Sequence, residues 1–326
     1  GAATISLTPG TAGGTRGVQV FSACGGAETF CGYGSGNSYT FPVPNGQTRY
    51  VKVFFSTPGT FSICALTPFA GSCPAPLLLN ARVLLEGPFD VATGLMKDDL
   101  RGVGLVPLVE QYTGLGYEHV GGGGETVQPA VLLMTGNDAV VDWVVVELRS
   151  ATDPGRRIAT RCGLVQRDGD VRDVDNISPL GFCAPPGDYF VVVRHRNHLG
   201  IMSGEAVEMT GLVTLDLADP GTATWRNDSR KNVAGFMLMW AGDVTFDGTV
   251  KYTGSGNDRD PILVRVGSTT PNNTAPGYLP EDVNLDGTSK YTGSANDRDK
   301  VLVNVGGTTP NTARTADLPE DTLALR

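Results

Sequence analysis

Two stretches of this chain, residues 242–268 and 281–307, are copies of one cassette. They read GDVTFDGTVKYTGSGNDRDPILVRVGS and EDVNLDGTSKYTGSANDRDKVLVNVGG, and 18 of their 27 positions are identical without gaps. Each copy opens with acidic or hydroxylic residues at alternate positions, followed by a glycine. That opening is typical of a calcium-binding loop, and no other part of the chain carries so specific a chemical signal.

Calcium is a hard cation that takes six to eight oxygen ligands at about 2.3–2.6 Å, so one loop must supply several carboxylates and carbonyls. Side chains at loop positions 1, 3 and 5 point inward, position 6 needs glycine for a sharp turn, and position 7 offers its backbone carbonyl. The sequence therefore predicts two Ca²⁺ sites. The candidate ligands are Asp243, Thr245, Asp247, Thr249, Asp258 and Asp260 in the first copy, and Asp282, Asn284, Asp286, Thr288, Asp297 and Asp299 in the second.

The residue that closes each loop is displaced. Position 12, where a calcium loop usually carries a carboxylate, is Gly254 in the first copy and Gly293 in the second. An inserted KYTGS delays the next acids, and the sequence leaves open which acid of each pair (Asp258 or Asp260, Asp297 or Asp299) closes the site. Asn257 and Asn296 are predicted N-caps of a short helix that follows.

These repeats resemble type I dockerin repeats in their opening, their delayed acid, their short helix and their tandem arrangement. The wording KYTGSxNDRD is closer to a dockerin-like variant at the C-termini of large secreted bacterial proteins. In those proteins the preceding region carries phrases similar to DWVVVELR at 142–149 and VVVRHRNHL at 191–199. The resemblance implies a calcium-binding C-terminal domain. The insertion falls where dockerins carry their cohesin-recognition residues, which argues against cohesin as the partner.

The cysteines predict an oxidising compartment. Six cysteines fall as three neighbouring pairs: Cys24 with Cys31, Cys64 with Cys73, and Cys162 with Cys183. Fifteen connectivities are open to six cysteines, and sequential pairing is the one we favour. Zinc is the competing interpretation, but no CxxC occurs and the histidines are distant in sequence from the cysteines. We therefore expect a secreted, extracellular or cell-surface protein.

The fold class predicted is all-β. Glycine and proline punctuate short alternating runs, and no long stretch shows helical periodicity. We expect two consecutive β-sandwich domains, at 1–76 and 77–235, followed by the small calcium-loop and short-helix domain at 236–326. The first segment resembles part of a bacterial pre-peptidase C-terminal domain, a jelly-roll-like sandwich, through its cysteine-flanked turn and the strand GTFSICAL at 59–66. In this resemblance it is incomplete, because the opening strands of that family would precede Gly1.

Charge and apolar runs restrict the partners. The net charge of −9 leaves no basic tract to neutralise phosphates, so nucleic acid is not expected as a partner. No apolar run approaches the roughly 18–20 residues that span a bilayer. The chain starts at Gly1 without a signal-peptide pattern, so we expect a processed, mature product.

No catalytic constellation is evident, so we predict neither catalytic residues nor an organic cofactor. His195 and His198 lie three residues apart, which places them on opposite faces of a continuous strand, and Arg194 and Arg196 beside them disfavour a metal. A role in anchoring a loop by hydrogen bonds is the preferred interpretation. His119, alone in a glycine-rich loop, offers no site by itself.

Three functions remain open. We favour a calcium-stabilised structural or adhesive surface protein that self-associates, with ATISLTP at 3–9 or the tail at 318–326 adding as a strand to a neighbouring copy. The alternative is a glycan- or protein-docking module of a larger secreted enzyme system. A hydrolase with an unrecognised site is the third.

Overall fold

The computed structural model describes residues 2–9, 13–21, 28–34, 38–42, 50–57, 61–66 and 76–319 of the 326-residue chain. With 39% of the chain in strands and 10% in helices, the protein belongs to the all-β class, as predicted. The chain divides into two compact units, residues 1–74 and residues 75–326. No helix among the described residues is long and apolar enough to cross a membrane.

The described residues of the first unit form two antiparallel sheets of three strands. Its strands are β1 (Ala2–Pro9), β2 (Gly13–Phe21), β3 (Glu28–Gly34), β4 (Ser38–Pro42), β5 (Tyr50–Thr57) and β6 (Phe61–Leu66). The sheet orders are β4-β1-β6 and β3-β2-β5. Val18 and Val20 of one sheet share a buried cluster with Tyr39 of the other. The apolar residues that alternate along β2 thus face the opposite sheet.

The segment ATISLTP belongs to its own sheet. It lies within β1, which pairs with β4 on one side and β6 on the other. Within one copy it is therefore an internal strand, and its addition to a neighbouring copy stays a prediction. Of the tail at 318–326, only Leu318 and Pro319 lie within the described residues.

Residues 76–319 of the second unit form eighteen strands, three helices and two short 3-10 turns. The strands are β7 (Leu77–Arg82), β8 (Leu84–Leu85), β9 (Phe89–Asp90), β10 (Leu95–Met96), β11 (Val140–Ser150), β12 (Arg157–Gln166), β13 (Asp170–Arg172), β14 (Leu180–Phe182), β15 (Gly187–His195), β16 (His198–Met202), β17 (Val207–Met209), β18 (Leu212–Asp216), β19 (Arg230–Val233), β20 (Phe236–Met239), β21 (Thr249–Lys251), β22 (Thr274–Pro276), β23 (Thr288–Lys290) and β24 (Ala313–Thr315). The helices are α1 (Asp99–Gly102), α2 (Arg259–Arg265) and α3 (Asp297–Asn304), and the 3-10 turns are Val131–Leu133 and Gly136–Asp138.

Nine strands form one curled sheet in this unit. Seven follow the order β14-β7-β13-β12-β11-β15-β16, while β17 adds to β15 and β18 runs parallel to β7. A separate sheet, β19-β20-β8, links the start of the repeat region to the strand that follows β7. Residues 77–235 and 236–326, expected as separate domains, thus lie in one compact unit.

Strand β11 contains the segment DWVVVELR and lies inside the sheet, with β12 and β15 paired along its two edges. Its first ten residues are buried. It nevertheless carries three buried charged side chains, Asp142, Glu147 and Arg149. Buried charges are tolerated only where partners compensate them, and those partners connect the sheet to the repeats.

The expected Cys162–Cys183 disulfide is absent: both thiols are free. Cys162 lies buried in β12 and points at the loop that contains Glu110 and His119, whereas Cys183 is exposed just beyond β14. Cys31 is also free, and Cys24 and Cys73 lie outside the described residues. This pair therefore no longer supports the prediction of a secreted location.

Candidate metal centre

The first acid of each repeat is a buried hub of its loop. Asp243 is 2% exposed, and its two carboxylate oxygens accept the backbone N–H groups of Asp247 at 3.0 Å and Gly248 at 2.9 Å. The same two bonds, at 3.1 and 2.8 Å, recur around Asp282. Gly248 has φ = +80°, which explains the glycine required at position 6.

Asp258 returns to the start of the first loop. Its Oδ1 accepts the backbone N–H groups of Val244 at 2.8 Å and Thr245 at 3.2 Å, and its Oδ2 accepts that of Lys251 at 2.7 Å. Asp297 makes the equivalent three bonds at 2.7, 3.2 and 2.7 Å in the second loop. Both acids are completely buried, so each closes its loop from the far side of the insertion.

Asp260 and Asp299 lie outside the loops. Both are exposed, and each pairs at 2.8 Å with the arginine that precedes it. Their backbone N–H groups donate to the side chains of Asn257 and Asn296 at 2.9 Å. Asn296 is the N-cap of α3 as predicted, whereas Asn257 makes the same bond one residue before the N-cap of α2, Asp258. The structure thus brings the first acid of each delayed pair to the loop and turns the second away.

The intermediate positions of the first loop lie at its surface. Thr245 donates its hydroxyl to Asp258 Oδ1 at 3.3 Å. Asp247 is exposed and accepts the backbone N–H of Thr249, where β21 begins. These oxygens border the buried pair formed by Asp243 and Asp258.

The second loop differs from the first in a lysine side chain that pairs with one of its acids. Asn284 accepts the N–H of Asp286 at 2.9 Å, and Asp286 in turn accepts that of Thr288 at 3.0 Å. Lys290 Nζ pairs with Asp286 Oδ2 at 2.6 Å. The equivalent Lys251 instead donates to the carbonyl of Ser255. A cation entering the second loop must therefore displace an ammonium group that the first loop lacks.

The electrostatics of both loops favour the binding of a positive charge. Burial raises the pKa of Asp243 well above its usual range, and the charges of Asp258 and Asp247 raise it further. Burial likewise raises the pKa of Asp258 to about 6 and that of Asp297 to about 7, against the backbone hydrogen bonds that lower them. Burial raises the pKa of Asp282 to about 6 although Arg196 opposes it.

The two repeats pack reciprocally. Strand β21 of the first repeat pairs with β24 behind the second, and β23 of the second pairs with β22 behind the first. Thr253 donates to Asn311 and Thr292 to Asn272, both at 2.8 Å, which are equivalent bonds at the 39-residue offset. Each repeat thus supplies strand pairing and hydrogen bonds to the other, so both repeats are needed for the contacts around each loop.

The turn between β15 and β16 attaches the second loop to the sheet. Asn197 Nδ2 donates to the carbonyls of Pro280 at 3.0 Å and Asp282 at 2.7 Å. The guanidinium of Arg196 donates to the carbonyl of Leu279. The phrase RHRNH therefore holds the backbone of the first loop residue, Asp282, in place.

Asp142 is the buried centre of this attachment. Its oxygens lie 2.6 Å from the hydroxyl of Tyr278, 3.0 Å from Nε of Arg196 and 3.1 Å from Nε2 of His195. Burial alone would raise the pKa of Asp142, but Arg196 and His195 outweigh it and hold the pKa at about 2. The carboxylate is therefore ionised and fully compensated, as a buried charge must be.

His195 and His198 are parts of this network. The two-residue turn brings their rings to 4.7 Å, and His198 Nε2 accepts the backbone N–H of Gly87 at 3.0 Å. His198 Nδ1 lies 3.0 Å from His195 Nδ1 and 2.8 Å from Oδ1 of Asn197. Their ring nitrogens are taken up by protein partners, in the anchoring arrangement that the sequence favoured.

Both loops also insert a side chain into the sheet unit. Phe246, at position 4 of the first loop, packs 5.8 Å from Tyr112 and 6.5 Å from Tyr117. Its counterpart Leu285 is 1% exposed within the same core. Phe246 and Leu285 adopt φ of +58° and +59°, a left-handed conformation that L side chains rarely take and that buried packing must compensate.

Glu86 attaches the start of the first repeat. It accepts the backbone N–H of Ala241 at 3.0 Å and pairs with Lys231 at 2.6 Å. Asn304, in α3, donates to Glu86 and to the carbonyl of Ala241. Sequence reasoning missed Glu86, Asn197 and Tyr278 because no local motif marks them; each acts through a residue far away in the chain.

Comparisons with family models, curated proteins and solved structures found no match for this chain. The geometry of the two loops is therefore the basis for assigning a function.

Proposed function

We propose that residues 236–319 are a calcium clamp, and that the chain is a calcium-stabilised extracellular structural or adhesive protein. The observation that carries this proposal is the pair of buried carboxylates in each loop, Asp243 with Asp258 and Asp282 with Asp297. None of the four makes an ion pair within residues 76–319. Isolated buried carboxylates are costly, and a bound cation removes that cost.

Calcium suits the donors better than other common ions. The ligands available in each loop are carboxylate, hydroxyl, amide and carbonyl oxygens, with no nitrogen or sulfur, which selects a hard cation. The dockerin-like opening of each loop points the same way. Asp243, Asp247 and Asp258 are the ligands proposed for the first site, and Asp282, Asn284, Asp286 and Asp297 for the second; the carbonyls of Thr249 and Thr288 complete each shell.

Contacts between the loops and the sheet explain why bound ions would stabilise the sheet as well as the loops. Asn197 and Arg196 bind the backbone at the second loop, and Phe246 inserts from the first loop into the core beside Tyr112. Ordering the loops thus orders their contacts with the nine-stranded sheet. A ligand that binds only the folded state stabilises it by mass action.

The test is calorimetry on protein freed of metal with a chelating resin. Titration with calcium is expected to reveal two sites, and saturating calcium to raise the melting temperature and protect 240–310 from proteases. Identical melting curves with and without calcium, together with no heat of binding, would remove the proposal.

Self-association is the proposed use of the stabilised chain. Because β1 is the middle strand of its own sheet, assembly by strand exchange would be a swap of β1 between copies. Light scattering and negative-stain imaging in calcium are expected to show filaments or oligomers. A monomer at all concentrations would exclude assembly and leave the calcium clamp intact.

A docking module is the second candidate, favoured by a pair of exposed valines. Val264 of α2 and Val303 of α3 are equivalent in the repeat, and they are 66% and 59% exposed. Two repeated apolar side chains on helix surfaces suit a protein partner better than a sugar. Under this proposal the protein stays monomeric, and Val264→Asp with Val303→Asp abolishes binding to the partner without lowering calcium affinity.

A further inference from the structure

A closed loop in the second unit surrounds a cluster of donor atoms that the calcium clamp does not use. Val109 and Thr126 pair as an isolated antiparallel bridge, which joins the ends of the loop 109–126. Thr160 of β12 fixes its far side: its N–H donates to the carbonyl of Val120 and its hydroxyl to that of Gly121.

Three different donor types converge inside this loop. Ligand atoms of Glu110, His119 and Cys162 all lie within 4.8 Å of one another. Glu110 and Cys162 are buried, and the side chain of His119 is only 10% exposed. Cys162 comes from β12, whereas Glu110 and His119 come from the loop, so the cluster joins two segments that are distant in sequence.

Two buried atoms at this cluster have no hydrogen-bond partner among the described residues. They are Nε2 of His119 and Oε1 of Glu125. Glu125 Oε1 lies 3.6 Å from Arg161, whose closer partner is Asp173 at 2.7 Å. Buried polar atoms are normally satisfied, so two vacant acceptor or donor atoms beside a thiol and a second carboxylate indicate a ligand between them.

The four glycines at 121–124 shape the cluster. The N–H groups of Gly123 and Gly124 donate to Glu125 at 3.0 Å and Glu110 at 2.9 Å, and both residues have positive φ. A Cβ at Gly123 would lie 2.8 Å from the ring of His119, whereas a Cβ at Gly124 would meet nothing within 4 Å. The glycine run thus folds closely around the donor atoms.

We infer that Glu110, His119, Cys162 and Glu125 form a zinc site that fastens the loop 109–126 to strand β12. Zinc takes thiolate, imidazole and carboxylate ligands in tetrahedral geometry at about 2.0–2.3 Å, and the donor atoms of Glu110, His119 and Cys162 need to approach one another by about 1 Å to reach it. Glu125, whose side chain lies beside the Cys162 thiol, is the fourth donor. The sequence argued against zinc because the histidines are distant in sequence from the cysteines. The fold removes that objection, since it makes His119 and Cys162 neighbours.

Binding is coupled to loss of one proton. Burial raises the pKa of the Cys162 thiol, and the charges of Glu125 and Glu110 raise it further, so the metal-free protein holds the thiol form. Coordination replaces the S–H bond by a Zn–S bond, and the proton passes to solvent.

The test is a cobalt titration of metal-free protein in saturating calcium, which keeps cobalt out of the carboxylate loops. One equivalent of Co²⁺ is expected to produce the thiolate-to-cobalt charge-transfer absorption, and Zn²⁺ to remove it by displacement. Cys162→Ser is expected to abolish the band and Cys183→Ser, the matched control at an exposed cysteine, to keep it. A wild-type protein without the band, or a band that persists in Cys162→Ser, would overturn the inference.

A second pair of variants guards against a folding defect at Cys162. Gly123→Ala and Gly124→Ala impose similar backbone strain, but only the former presses on His119. We expect cobalt affinity at least about tenfold lower in Gly123→Ala than in Gly124→Ala. Equal affinities in two folded variants would also contradict the site.

Discussion

The hydroxyl of Tyr278, in the segment between the two repeats, donates a hydrogen bond of 2.6 Å to the carboxylate of Asp142 in the middle strand of the sheet. The two residues are 136 positions apart; Asp142 is fully buried and Tyr278 is half-buried. Through this bond the repeat region and the nine-stranded sheet share one buried charge. Calcium loops and sheet are therefore expected to unfold together.

Removing this hydroxyl should weaken the whole second unit. Tyr278→Phe keeps the ring and leaves Asp142 with one donor fewer, so the free energy of unfolding should fall by about 1–3 kcal/mol. Tyr252→Phe, at a half-buried tyrosine of the first repeat, serves as control and should change it by less than about 0.5 kcal/mol. Denaturant unfolding measures both. If the repeat region unfolds in a transition separate from that of the nine-stranded sheet, and only one of these two shifts, the shared unfolding of the second unit is contradicted.

The closing acid can be identified by a matched pair of substitutions. Asp258→Asn removes the buried carboxylate of the first loop and should lower calcium affinity there by at least about tenfold, or 1.4 kcal/mol. Asp260→Asn, two residues away but exposed and paired with Arg259, should leave affinity unchanged. Titration calorimetry distinguishes them. The reverse pattern would mean that the loop closes on Asp260.

The two sites should differ in affinity because of one lysine. Lys290 neutralises Asp286 in the second loop, so calcium must displace it. Lys290→Gln should therefore raise the affinity of the second site several-fold, while Lys251→Gln at the equivalent position should have little effect. If both variants bind calcium like the parent, the pair between Lys290 and Asp286 does not compete with the ion.

Calcium affinity should depend strongly on pH. In metal-free protein the pKa values of Asp258 and Asp282 are raised to about 6 and that of Asp297 to about 7, so protons must leave before the ion binds. Affinity should rise at least about 100-fold between pH 5 and pH 8, whereas acids at their ordinary pKa would give almost no change.

The same raised pKa values set the sign of the metal-free stability. Between about pH 4 and pH 7 the folded state holds protons that the unfolded state lacks, so these acids contribute less stability as pH rises. The melting-temperature gap between calcium-saturated and resin-treated protein should therefore widen from pH 5 to pH 8. A constant gap would contradict the raised values.

Alkylation can check the two free cysteines of the second unit. Cys183 is exposed and should react with iodoacetamide in the native protein, whereas buried Cys162 should react only after unfolding in chelator. Peptide mass spectrometry gives the result for each residue. A peptide pair linked through Cys162 and Cys183 would restore the disulfide that the sequence suggested.

The sequence by itself determined the elements that depend on local chemistry. Short alternating runs punctuated by glycine and proline predicted the all-β class, because side-chain alternation reports the two faces of a strand directly. The acid-and-glycine opening predicted the loops around Asp243 and Asp282, since φ at Gly248 and the bonds to the first acid are made within six residues.

Only the tertiary structure decided what depends on burial and on distant partners. Asp258 and Asp260 are equivalent in a sequence, and the fold buries one and exposes the other. The expected Cys162–Cys183 pair is absent because β12 turns Cys162 towards the loop at 109–126. The repeats lie in one compact unit with the nine-stranded sheet because Phe246, Leu285 and Tyr278 pack against the same core. A hydrogen bond or a packed ring between residues tens of positions apart leaves no pattern along the chain; it exists only once folding has brought the two groups together.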